Sequence, residues 1–143
     1  MDSGEETMKF KKKMVNRIKA IREEENMTQQ KLTKKIGVSR QTIYYLEKND
    51  YNPSLEIIRK LMKVLDKKFE EIFYEVPVIK ELIENLSVKE VKEIAEKVGI
   101  SDEQIISLTK IDDKDLNKNF KKEVLEKLAL ELGVKFEDVF END

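Results

Sequence analysis

The chain of 143 residues can form one average domain or two small ones of roughly 70 residues each, and its 41% charged residues with only four Gly and two Pro suit compact helices joined by short loops. With no Cys and no His, it excludes disulfides, a Cys/His zinc site, haem ligation by those residues and any nucleophile activated by imidazole, so no metal, cofactor or enzymatic centre is expected. The net charge of −2 hides a division: residues 1–74 hold 17 Lys/Arg against 12 Asp/Glu, residues 75–143 hold 11 against 18, and only the basic half would be drawn to a polyanion.

Residues 1–13, MDSGEETMKFKKK, show no periodicity and end in a lysine cluster; they are expected to be a flexible basic arm. Val15, Ile18 and Ile21 space a first helix to about Glu25. Thr28 caps a second, with Leu32 and Ile36 inward, and Gly37 stops it in the left-handed conformation that glycine adopts without a Cβ clash. Ser39 caps a third helix that runs to about Lys48, with Asn49 and Asp50 at its exit. Asn52-Pro53-Ser54 forces an extended entry to a fourth, carried by Leu55, Ile58, Leu61, Met62 and Leu65, and Phe69, Ile72 and Phe73 mark a short fifth.

After Val76-Pro77-Val78 the chain repeats itself. Gly99 follows Gly37 by 62 positions, and KIGVSRQTIYYLEK then faces KVGISDEQIISLTK, with the glycine, the capping serine, Ile43, Leu46 and the last lysine matched. At an offset of 67, KLMKVLDKKFEEIF faces KLALELGVKFEDVF, so five residues are inserted between the matched blocks.

The third helix carries the chemistry. At 100° per residue Ile43, Leu46 and Ser39 define its inner stripe, which leaves Gln41, Tyr45 and Lys48 opposite and Arg40, Tyr44 and Thr42 on the shoulders. A protruding helix with that outer face fits the major groove of B-DNA, where Gln pairs with adenine, Arg with guanine, and rings press on thymine methyls. Through MTQQKL, KKIGVSRQTIYYLEKN and NPSLEIIRKL, residues 15–73 resemble the Xre/Cro-type helix-turn-helix family. The resemblance implies a five-helix domain of the Cro/lambda-repressor type that binds double-stranded DNA sequence-specifically, usually as a homodimer. By position it implies that Gln29 contacts a phosphate and braces the third helix, that Arg40, Gln41 and Tyr45 read bases, that Thr42 and Tyr44 read bases or backbone, that Ser39 caps beside a phosphate, and that Asn52 lies near the DNA backbone. Lys48, with Lys31 and Lys34, would neutralise phosphates. Thr33 departs from the family's alanine, and Asn49 and Asp66 from its glycines.

In the repeat, Asp102, Glu103, Ile106 and Ser107 replace Arg40, Gln41, Tyr44 and Tyr45. A carboxylate pair repels phosphate, so the second copy is expected not to read DNA and to use Ile106 for protein contact or dimerisation. Ile106 as an isolated exposed apolar residue is the plainer alternative.

The expectation is therefore an all-α protein with an arm at 1–13, a helix-turn-helix DNA-binding domain at 14–75 and a degenerate helix-turn-helix-like domain at 76–143. Its function would be that of a DNA-binding transcriptional regulator, a repressor acting by occupancy, in the cytoplasm on the nucleoid. The alternative is an antitoxin-like or coactivator-like module whose acidic half binds another protein. No apolar run approaches the ~18 residues of a membrane span, so no membrane partner is expected.

Overall fold

The computed structural model describes residues 7–142. In chain order the elements are β1 (Met8–Phe10), β2 (Lys12–Asn16), α1 (Ile18–Glu24), α2 (Gln29–Ile36), α3 (Arg40–Glu47), α4 (Leu55–Leu65), α5 (Phe69–Ile72), β3 (Phe73–Pro77), α6 (Val78–Glu84), α7 (Val88–Val98), α8 (Asp102–Ser107), α9 (Asp113–Asn119), α10 (Lys122–Glu131), α11 (Phe136–Val139) and β4 (Phe140–Asn142). They form two compact units. The first is Met14–Glu75; the second is Val76–Asp143 together with the N-terminal segment that ends at Lys13.

In the first unit five helices close on a core of Ile18, Leu32, Ile36, Ile43, Leu46, Leu61 and Ile72, each all but inaccessible. Three of these helices begin as helix-capping chemistry requires. The Thr28, Ser39 and Ser54 hydroxyls accept from the amides of Lys31, Thr42 and Ile57, each satisfying one of the donors a helix start leaves unpaired. Val15, expected in the first helix, lies instead in β2. The chain stays extended through Asn16, whose side-chain oxygen accepts the Ile18 amide, while the Arg17 amide donates to the Ile72 carbonyl at 2.8 Å.

The chain is thus not all-α: β1 pairs antiparallel with β4, and β2 pairs with β3. The expected flexible arm is also corrected over its described part, residues 7–13; its first six residues lie outside the described residues. Met8 and Phe10 alternate with Lys9 and Lys11, and the two apolar side chains are 3% and 2% exposed within the second unit's core. A two-position alternation is too brief to declare a strand by itself. Tertiary bonds hold it. Phe10 faces Phe140 in register, and on the other side the Asn117 carboxamide accepts from the Met8 amide at 2.7 Å and donates to the Met8 carbonyl, as a neighbouring strand would. The Phe10 amide donates to Asp113 at 2.8 Å. Of the lysine cluster, Lys12 stands 3.5 Å from Asp113 and Lys13 pairs with Glu81, so both are partnered inside this unit.

Asn117 and Asp113 belong to α9, which Asp112 caps. This helix lies between the blocks matched at offsets of 62 and 67 residues, so that stretch holds the N-terminal strand.

Candidate nucleic-acid interface

The turn between α2 and α3 is set by Gly37, at φ 82° and ψ 36°. Apart from its own chain neighbours, no atom of the described residues lies within 4 Å of where its Cβ would stand, so the backbone angle, not crowding, calls for glycine. Gly37 and Val38 amides both return to the Thr33 carbonyl, closing α2. Ser39 then starts α3: its hydroxyl accepts from the Thr42 amide at 3.1 Å and bonds the Thr42 hydroxyl at 2.8 Å.

Ile43 and Leu46 pin one side of α3 in the core. Its far end is held by two polar clamps that the sequence reading missed. Arg22 is buried and grips Glu47 with two bonds, Nε to Oε2 at 2.7 Å and Nη2 to Oε1 at 3.1 Å, while Nη1 donates to the Met27 carbonyl at 2.9 Å. The bond to Glu47 raises the Arg22 pKa above its ordinary value, against the opposing effect of burial. In the second clamp Asn16 Nδ2 donates to the Leu46 carbonyl at 2.8 Å and to Asn49 Oδ1, which also accepts the Asn16 amide at 2.9 Å. Asn49 sits at φ 64°, a conformation that Asn tolerates, and its side chain makes bonds a glycine could not. One signal was visible: Arg22 follows Ile18 and Ile21 at core spacing, where a solvated arginine would not belong.

With α3 fixed in this way, Arg40, Gln41, Tyr44, Tyr45 and Lys48 come together on its exposed face. Tyr44 and Tyr45 are 44% and 41% exposed and meet edge to face at 5.4 Å. The Lys48 ammonium lies 4.7 Å from the Tyr44 ring centroid, and its interaction with Tyr44 holds its pKa above the ordinary lysine value, so it is fully charged at neutral pH. Ser39 is exposed and Thr42 half-buried, their hydroxyls engaged with each other; Asn52 is exposed on the loop after α3. Gln29 is half-buried, and its amide donates to Glu47 Oε1 at 3.0 Å, so it braces α3 through the same carboxylate as Arg22. Ile106, in the second unit, is 40% exposed beside a groove of about 430 Å³.

Residues 18–72 match the helix-turn-helix family model. An uncharacterized HTH-type transcriptional regulator of Archaeoglobus fulgidus is 50% identical over 60 residues, 42% of this chain and 84% of that protein. The chain belongs to the Xre/Cro-type helix-turn-helix family. Another uncharacterized HTH-type regulator, from Methanocaldococcus jannaschii, is 48% identical over 60 residues, 42% of this chain and 91% of that protein. The immunity repressor protein of Bacillus phage phi105 is 37% identical over 82 residues, 57% of each chain. The helix-turn-helix family is one of DNA-binding regulators, not of enzymes. Among the described residues no helix is long and apolar enough to cross a membrane.

Proposed function

We propose that this helix-turn-helix protein binds double-stranded DNA sequence-specifically and represses transcription by occupying its site, with α3 in the major groove. The observation that carries the reading is the exposed face of α3, where an amide, a guanidinium, two phenols and an ammonium stand together on a helix whose opposite side is locked in the core. Arg40, Gln41 and Tyr45 would meet base edges, and Thr42, Tyr44, Ser39, Gln29 and Asn52 would meet bases or backbone, with Lys48 on a phosphate. The likeness to a phage protein named as an immunity repressor supports the negative sign of regulation. Selection of duplexes from a random pool by the full chain tests it. A recovered motif whose preference over random DNA falls in Gln41→Ala supports the assignment; no enriched motif, even at low salt, overturns it.

The second unit reads best as a degenerate copy that has given up DNA for protein contact. Its α7, Gly99 and α8 follow the pattern of α2, Gly37 and α3: Gly99 has φ 87° and Ser101 caps α8 as Ser39 caps α3. Both α11 and β4 begin 67 residues after α5 and β3, and the Lys11 amide meets the Val139 carbonyl as the Arg17 amide meets that of Ile72. Asp102 and Glu103 at the head of α8 oppose phosphate. A homodimer formed through this unit would suit two half-sites one helical turn apart.

A further inference from the structure

The reading of the second unit as a protein-contact module leaves its contact surface open, and the groove beside Ile106 offers one. Leu86, Val88, Val91 and Ile106 give the groove apolar walls, and Val88 is 75% exposed. In the first unit the comparable place is polar. At the 62-residue offset Val91 stands for Gln29 and Thr109 for Glu47, so the carboxylate and carboxamide that brace α3 have no counterpart, and an apolar hollow takes their place.

Three charged residues line the hollow, Glu84, Asp102 and Lys110, and the last two are placed for self-recognition. Asp102, Ile106 and Lys110 recur every fourth position and all line it. Neither Asp102 nor Lys110 has an ion-pair partner among the described residues. A carboxylate one turn before the central isoleucine and an ammonium one turn after it form a sequence that is complementary to its own reverse. The matching positions of α3 are Arg40, Tyr44 and Lys48, which repel a second copy and attract phosphate.

We infer that two copies of this chain associate through the α8 groove about a two-fold axis near Ile106, each Asp102 pairing with Lys110 of the other copy while Val88 and Ile106 are covered. An isologous contact requires that a patch complement itself, and this one does in charge, with Asp102 and Lys110 on either side of Ile106. The isoleucine that would be left in water is then buried.

Sedimentation equilibrium of the full chain across a concentration series tests the inference. The parent is expected to dimerise; Ile106→Asp and Val88→Lys, at exposed positions whose loss spares the core, are expected to be folded monomers by circular dichroism. Asp102→Lys alone and Lys110→Asp alone each place like charges together twice and should weaken the dimer by about tenfold or more, and the double variant should restore it. A monomeric parent, a dimer that survives Ile106→Asp, or a double variant no tighter than the singles would each overturn the inference. DNA selection by the same proteins is a separate readout: the parent can bind a single half-site without dimerising, or dimerise without binding DNA, so the two readings fail independently.

Discussion

The clamp of Arg22 on Glu47 offers the sharpest check on how the interface is built. Both side chains are nearly inaccessible, at 10% and 3% exposure, and the arginine spends three of its donors on Glu47 and the Met27 carbonyl. Glu47→Ala leaves the guanidinium buried without its countercharge and frees Gln29, and breaking a buried pair from one side costs about 3–5 kcal/mol. A unit of this size has about 3–9 kcal/mol of stability in total, at roughly 0.05–0.15 kcal/mol per residue. The loss therefore takes from about a third to all of it, and a cost of about 3 kcal/mol lowers the melting temperature by about 12–24 °C. Urea-dependent hydrogen exchange, read on peptides of α1 to α5 in the full chain with peptides of α7 and α10 as internal reference, measures it. Replacing both partners by leucine removes charge and countercharge together and should recover most of the loss. The reasoning fails if Glu47→Ala costs under about 1 kcal/mol, or if the leucine pair is no more stable than the single variant.

Other outcomes follow from single contacts. The Thr33 hydroxyl is buried without a hydrogen-bond partner among the described residues, so Thr33→Ala, which also favours the helix, should stabilise the first unit by about 1 kcal/mol in a urea titration; a loss would show that the methyl group's packing outweighs the hydroxyl. Asn117→Ala removes both bonds to Met8, and should raise exchange at the β1 amides well above that at α10, whereas unchanged protection there would mean that β4 alone holds the strand. Glu90 accepts the Ser87 amide at 2.9 Å, which depresses its pKa below the ordinary 4.5. Its contribution is therefore present above about pH 4.5 and lost as pH falls through the lower folded value, so the stability gap between the parent and Glu90→Gln should close on acidification; a gap that widens contradicts the assignment. For DNA, Lys48→Ala should lower the slope of log affinity against log salt by about 1 while leaving site preference unchanged, as titrations at several salt concentrations will show.

Much of the first unit was legible because its signals are local. Thr28, Ser39 and Ser54 cap helices by bonds spanning three residues, Gly37 turns the chain by its own backbone angle, and Ile43 and Leu46 fix the inner side of α3 by helical spacing alone. The family resemblance rests on those same positions. What escaped were bonds that join distant parts of the sequence. Arg22 meets Glu47 across 25 residues and Asn16 meets Asn49 across 33, and no periodicity connects such pairs.

The N-terminal strand is the clearest case. Met8 and Phe10 amid lysines give a pattern any solvated tail could show, and their partners are Asn142, Phe140 and Asn117 at the far end of the chain. By itself the sequence determined where α2, α3 and α4 begin and which side of α3 faces out, since capping and periodicity act between near neighbours. Only the tertiary structure decided that the basic N-terminal segment completes the second unit's core and that a buried arginine holds the α3 helix in place, because long-range hydrogen bonds and burial exist only once the chain has closed.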